Sequence, residues 1–373
     1  MIEMRTLSSL LFFQNKSKRM TMLNPKYATM LTAARIAQEN FALLGQHDAD
    51  RIFTAVAKSA NKVRVHLAKL AAEETKMGCV EDKVLKNGLA CELIWDRYKD
   101  SKTCGLITGD DTHGKRLYAS PVGPIAALTP VTNPTSTAIS KALMMAKTRN
   151  AGIFLPHPRA EKCTAEAVRI CMEAGVEAGA PPDWIQCVQG NHSVLDSQEI
   201  MKHENINLIL ATGGPAMVKA SYSCGKPAIS VGSGNAPVLV DETADIHLAV
   251  GSIILGKTFD NGMICAAEQS VVAVEPIYDD FKHLLEDRGV FFLTGQDHER
   301  LADFIEKDGH INPDIVGQTA QEIARRAEIQ TKLPPDTVVL ATEECVIGEE
   351  HPLSKEKLSP GNSPKRKLDR SLL

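Results

Sequence analysis

Of the residues able to make and break bonds, Cys265 has the most suggestive setting. The loop FDNGMICAAEQS joins an apolar helix to an apolar strand, and Gly262 gives its backbone freedom. A thiol placed there sits at a strand edge rather than in mid-core, and its thiolate would be a nucleophile. The competing reading is ordinary: Cys265 is one of nine cysteines and serves as a small core residue. Asn133, in TPVTNPTSTAISKAL, follows an apolar strand and precedes Pro134 and a helix that Thr135 or Ser136 could cap. A side-chain amide at a strand's carboxyl end can donate to a developing oxyanion, although an Asn before Pro is also a common turn. In NLILATGGPAMVKAS a strand runs into Gly213–Gly214 and then into a helix with Pro215 in its first turn. Helix N-termini suit phosphate because free N–H groups and the dipole point at it. The pattern is not GxGxxG, however, and equally describes a plain strand–helix turn. A second glycine loop, in KPAISVGSGNAPVLV, allows close backbone approach but names no ligand.

The elements that must position these residues fall into two units. From Pro25 to about Asn87, apolar residues recur at three and four, as in AARIAQENFALLG and DRIFTAVAKSANKVRVHLAKLAAEE, which predicts helices. After the polar, turn-rich stretch DSKTCGLITGDDTHGKR, short apolar strands alternate with helices. The strands are expected at 124–129, 152–156, 184–188, 207–211, 227–230 and 237–240. Alternation at this spacing predicts an α/β fold with a parallel, doubly wound sheet, whose ligands bind at the carboxyl ends of the strands. A second α/β unit is expected from about the helix DIHLAVGSIILGK onward, through the strand SVVAVE to about Gly348. The last stretch, PGNSPKRKLDRSLL, lacks an apolar period and is expected to be a disordered tail.

Composition narrows the classes of function. Over 373 residues, 43% hydrophobic content is enough for a sizeable core, and a net charge of -4 argues against a nucleic-acid or anionic-membrane partner. No window approaches the roughly 18 apolar residues of a membrane span. The scattered cysteines suit free thiols in a reducing, cytoplasmic compartment, and the absence of CxxC or HExxH leaves no support for a metal site. The basic start MIEMRTLSSLLFFQNKSKRM has some features of an organellar transit segment, but Glu3 and the short apolar run favour a flexible N-terminal segment.

Six stretches carry a resemblance: VEDKVLKN, TNPTSTAISKAL, KTRNAGIFLPHPRA, INLILATGGPAMVKASYSCGKPAI, VGSGNAPVLVDETADI and KTFDNGMICAAEQSVV. Their order and spacing resemble the aldehyde dehydrogenase superfamily, and in detail the CoA-acylating acetaldehyde dehydrogenase domain of bifunctional aldehyde–alcohol dehydrogenases. The resemblance covers about residues 25–360 and does not include the alcohol dehydrogenase half. It implies an NAD-binding domain over 25–254 and a partial catalytic domain over 255–360, between a flexible segment at 1–24 and a tail at 361–373. It further implies Cys265 as nucleophile and Asn133, with the cysteine's own N–H, as oxyanion hole. Gly213 and Gly214 match the cofactor-binding turn, and Glu356 in EKLSP matches the glutamate that binds the nicotinamide ribose. His157, in LPHPRA, falls where hydrolytic relatives carry a lysine that holds the adenosine ribose.

Two departures shape the expected activity. Hydrolytic relatives carry a glutamate in an ELGGK-like motif to activate water; here the segment is SVGSGNAP, and the position is Val231. Without that base, water attacks slowly and a thiol acceptor takes its place. The resemblance therefore implies acetaldehyde, CoA and NAD going reversibly to acetyl-CoA and NADH. After EKLSP the sequence leaves the family pattern, which leads to the expectation of an incomplete catalytic domain. That domain would leave the SVVAVE and TVVLA strands uncovered and impair any homo-oligomer. The alternative carried beside the enzyme is a truncated paralogue that binds NAD, or a full-length partner, without turnover.

Overall fold

In the computed structural model, which describes residues 24–190, 192–307, 309–344, 348 and 351–366, the helical period of the N-terminal region becomes four helices. They are α1 (Pro25–Ala42), α2 (Gln46–Lys62), α3 (Arg64–Thr75) and α4 (Val80–Tyr98). Asn24 caps α1 by accepting from the Lys26 N–H, with Pro25 at the first helical position where its missing donor costs nothing. The segment read as a transit candidate or flexible start lies outside the described residues, apart from Asn24.

The polar stretch that follows is not a plain linker. It forms an antiparallel hairpin, β1 (Gly105–Asp110) with β2 (Lys115–Ala119). Its turn is closed by Asp110, which accepts from the Thr112 and His113 N–H groups, and by Gly114 at φ +63°.

The doubly wound sheet then appears as expected. Its elements are β3 (Ile125–Leu128), α5 (Pro134–Thr148), β4 (Gly152–Leu155), α6 (Glu161–Glu177), β5 (Ile185–Cys187), α7 (Val194–Lys202), β6 (Leu208–Thr212), α8 (Pro215–Tyr222) and β7 (Ala228–Val231). All pairs are parallel, and the spatial order is β5-β4-β3-β6-β7. Both faces of the central strands are buried. Ile125 and Ala127 of β3 pack with α2, α5 and α6, whereas Ala126 and Leu128 pack with α1 and α7. Side chains alternate across a strand, so a continuous apolar run is what two covered faces require.

The unit boundary differs from the expectation at residue 254. Strand β8 (Ala236–Val240) does not extend the first sheet; it pairs in parallel with β9 (Glu268–Ala273) through the crossover helix α9 (Ile246–Thr258). The second unit thus starts with β8. It continues through α10 (Glu275–Asp287), β10 (Val290–Phe292), α11 (Gly295–Ile305), the short hairpin β11 (Glu306–Lys307) with β12 (His310–Ile311), α12 (Ala320–Arg326) and β13 (Val339–Ala341).

The expected tail is also corrected in part. Residues 361–366 form β14 (Gly361–Arg366), inserted between β13 and β9 in a sheet of order β10-β13-β14-β9-β8. Two parallel strands held a sheet-spacing apart from a shared neighbour demand backbone donors and acceptors between them, and this demand does not depend on apolar side chains. The SVVAVE and TVVLA strands are accordingly covered: Val271, Val339 and Leu340 are buried among α9, α10 and the α11–α12 layer. Residues 367–373 lie outside the described set. Among the described residues, no helix is long and apolar enough to cross a membrane, and no group of three or more His, Cys, Asp or Glu could hold a metal.

Candidate active site

The first sheet has its switch point between β3 and β6, because the chain runs outward through β4 and β5 and then returns to the other side of β3. Loops leaving the carboxyl ends there diverge and leave a crevice. A cavity of about 300 Å3 lies at this place. Asn133, His157, Gly213, Gly214 and Val231 line it from the first unit, and Cys265 and Glu356 from the second. The residues singled out in six separate places in the sequence therefore share one cavity.

Cys265 stands on the turn ahead of β9 and is exposed, the one such cysteine among the eight described. The others contrast with it: burial pushes the Cys91 thiol up to about 12 and the Cys171 and Cys187 thiols higher still. The core-residue reading of Cys265 is thereby excluded. Its turn is reached through a short 3-10 segment, Phe259–Gly262, in which Asp260 and Asn261 both adopt left-handed backbone angles (φ 49° and 53°). Asp and Asn tolerate that region better than other side chains, and it persists only when surroundings hold it. Here the Asp260 N–H donates to Asp82 Oδ2 at 2.7 Å, and the Cys79 N–H donates to Asp260 Oδ1 at 2.9 Å.

Asn133 occupies the N-cap position of α5, in place of the expected Thr135 or Ser136, but its side chain makes no capping bond. Its Oδ1 instead accepts from Lys86 Nζ at 2.6 Å, and its Nδ2 donates to Thr132 Oγ1 at 3.2 Å. Thr135 is also occupied elsewhere, donating to Asn87 Oδ1 at 2.8 Å. One face of α4 thus reaches the site: Lys83 and Lys86 both contact Asp260 Oδ2, at 3.0 and 2.5 Å, with all three side chains buried. Burial lowers the Lys86 pKa, and the Asp260 carboxylate opposes that shift. This cluster was not foreseen. VEDKVLKN stood out in the sequence without a role, and the available signal was two lysines three apart on one helix face, which call for a counter-charge where that face is buried.

Gly214 caps α8, and nothing lies within 4 Å of where its Cβ would stand, so the backbone at this helix start is open to a ligand. His157 Nδ1 accepts from the Arg159 N–H at 3.1 Å, so the proton of its neutral ring resides on Nε2, facing away from that bond. Burial lowers the His157 pKa, with Arg159 and His192 adding to it, which keeps the ring neutral. On the opposite wall, Glu356 Oε1 accepts from the Gly234 N–H at 3.1 Å, and its pKa is raised by burial. A Cβ on Gly234 would come within 2.7 Å of the Cys265 carbonyl oxygen, so glycine is what lets the SVGSGN loop lie against the cysteine turn. The EKLSP segment is anchored by Gln269, whose Oε1 accepts from the Lys357 N–H at 2.9 Å and from Lys257 Nζ at 3.2 Å. Val231, at the end of β7, is 55% exposed and offers no proton acceptor.

An exposed thiol, a glycine turn at a helix start and a strand-end amide thus line one cavity between two α/β units. The aldehyde dehydrogenase family matches residues 21–302, and the chain belongs to that family. It is 50% identical over 324 residues to the bifunctional aldehyde-alcohol dehydrogenase of Escherichia coli, covering 87% of this chain and 36% of the relative. The chain therefore spans about a third of that relative's length. Its fold matches an acetylating aldehyde dehydrogenase from Geobacillus thermoglucosidasius with a TM-score of 0.89 and 43% identity, over 92% of this chain and 75% of the other. It also matches a propionaldehyde dehydrogenase from Rhodopseudomonas palustris, solved with CoA bound and a cysteine acylated. That match has a TM-score of 0.80 and 30% identity, over 91% of this chain and 77% of the other.

Proposed function

We propose that the chain is a CoA-acylating aldehyde dehydrogenase that converts acetaldehyde, CoA and NAD reversibly to acetyl-CoA and NADH. The observation that carries this reading is the meeting of exposed Cys265, Asn133 and the base-free Val231 position at one cavity. A dinucleotide fits the residues present: the open backbone at Gly214, where α8 begins, suits its pyrophosphate. Glu356 and His157 would hold its riboses. NAD, when bound there, supplies the acceptor for hydride.

The chain's own residues account for the remaining steps. Cys265 thiolate attacks the aldehyde carbon, and the carbonyl oxygen takes up the negative charge. Asn133 Nδ2–H and the Cys265 N–H donate to that oxyanion. Loss of hydride from the former aldehyde carbon leaves a thioester on Cys265. Val231 provides no group to deprotonate water, so the thioester persists until the acyl group passes to the CoA thiol and Cys265 leaves as thiolate. The alternative of a paralogue without turnover has nothing in its favour, since the similar proteins bear enzyme names.

The reverse half-reaction tests this directly. Incubated with acetyl-CoA and no NADH, the protein should carry an acetyl thioester on Cys265, detected by peptide mass spectrometry. Acetylation confined to other cysteines, or none at all, contradicts the assignment.

A further inference from the structure

The face of α4 that docks on the cavity wall has a role still to be assigned. Lys86 is 7% exposed, and its ammonium is held from three directions: by Asp260 Oδ2 at 2.5 Å, by Asn133 Oδ1 at 2.6 Å, and by the Phe259 ring 5.8 Å away. An ammonium has three donors and no acceptor. The Asn133 amide beside it must therefore present oxygen, never nitrogen, to Lys86. Because an amide is planar, that choice sends the Nδ2 group to the opposite side, and one of its two hydrogens is engaged by Thr132 Oγ1. The other hydrogen has no partner among the described residues, and Asn133 lines the cavity. An asparagine without such a partner could rotate by half a turn, and would then present a lone-pair oxygen to the oxyanion instead of a donor.

We propose that Lys86 is a positioning residue for acyl transfer: by donating to Asn133 Oδ1 it locks the amide with its Nδ2–H toward the reacting carbonyl above Cys265. This rests on the reading of Asn133 as oxyanion donor. Asp260 completes the device, because it fixes Lys86 and also belongs to the segment leading into Cys265. The donor and the nucleophile are thus set against each other through one buried carboxylate. Lys83 supplies the control, because it shares Asp260 Oδ2 but has no bond to Asn133.

The experiment compares two reactions of Cys265 on the whole chain, each corrected with a Cys265→Ala sample. Acylation by p-nitrophenyl acetate passes through a tetrahedral oxyanion and needs neither NAD nor CoA. Alkylation by iodoacetamide is a direct displacement with no oxyanion. Lys86→Met should slow acylation by about ten- to a hundredfold, the range below and up to full loss of one oxyanion donor. Its alkylation rate should stay within about threefold, since thiolate access is unaltered. Lys83→Met should keep both rates within about threefold even where its melting temperature falls, because it leaves the amide locked. In an Asn133→Ala background, Lys86→Met should cause no further loss of acylation. Equal slowing of both reactions by Lys86→Met, equal slowing of acylation by Lys83→Met, or additive loss in the double variant would overturn the positioning role. An Asn133→Ala variant with undiminished acylation would instead overturn the oxyanion reading on which it rests.

Discussion

The two walls of the cavity are built on different principles. The wall at the carboxyl ends of β3, β4 and β6 consists of loops leaving a sheet whose strands are buried apolar runs. The wall carrying Cys265 depends on buried polar contacts between distant parts of the chain: Asp260 with Asp82, Lys83 and Lys86, and Glu356 with Gly234. The first wall leaves its backbone open to a ligand at Gly214. The second must hold a left-handed turn in place by itself, and it does so through the several groups that share the buried Asp260 carboxylate and N–H.

That contrast can be broken most forcefully at Asp260. Asp260→Asn removes the charge facing two buried lysines, and loss of one partner of a buried pair typically costs about 3–5 kcal/mol. Urea unfolding should show that loss, whereas an unchanged midpoint would mean that the lysines find other partners. Next in size, Asn133→Ala should lower turnover by about a hundredfold or more, with NAD affinity little changed, as for removal of one oxyanion donor. A wild-type rate would return Asn133 to the role of turn residue. Glycines on the two walls then separate the principles. Gly234→Ala forces a Cβ to within 2.7 Å of the Cys265 backbone oxygen and should cost about 1–3 kcal/mol, the usual range for overpacking. Gly214→Ala meets open space, so its stability should match the parent while NAD binding weakens in calorimetry. Equal destabilisation by both would erase the distinction between the walls. The smallest effect belongs to Val231→Glu, which should raise CoA-independent release of acetate only modestly, because the new carboxylate must also ionise and orient a water. Rapid acetate release by the unaltered protein would contradict the acylating assignment whatever that variant does.

The same contrast explains what could be read from the sequence. Strands β3 to β8 were legible because each is a short apolar run with its own turn signals, and Cys265, Asn133, Gly213 and Gly214 each carried a local pattern. His157, Glu356 and Val231 needed the family resemblance to be noticed, since a His before Pro or a Glu among lysines is unremarkable alone. The sheet to which β8 belongs was not legible: PVLV is equally apolar in either sheet, and only its pairing with β9 decides. Residues 361–366 misled for the opposite reason, because their polar composition hides a backbone slot between β13 and β9. The Lys86–Asp260 contact joins residues 174 apart, and no window of sequence contains both.

The central claim is that Cys265 carries the acyl group and that a thiol, not water, receives it. The direct measurement follows NADH formation from acetaldehyde and NAD with and without CoA, on this chain and on Cys265→Ala. The account predicts NADH formation that requires CoA for sustained turnover, acetyl-CoA as product, and none of either in the alanine variant, with NAD binding retained. Sustained NADH and acetate formation without CoA, or acetyl-CoA still made at a comparable rate by Cys265→Ala, would contradict it.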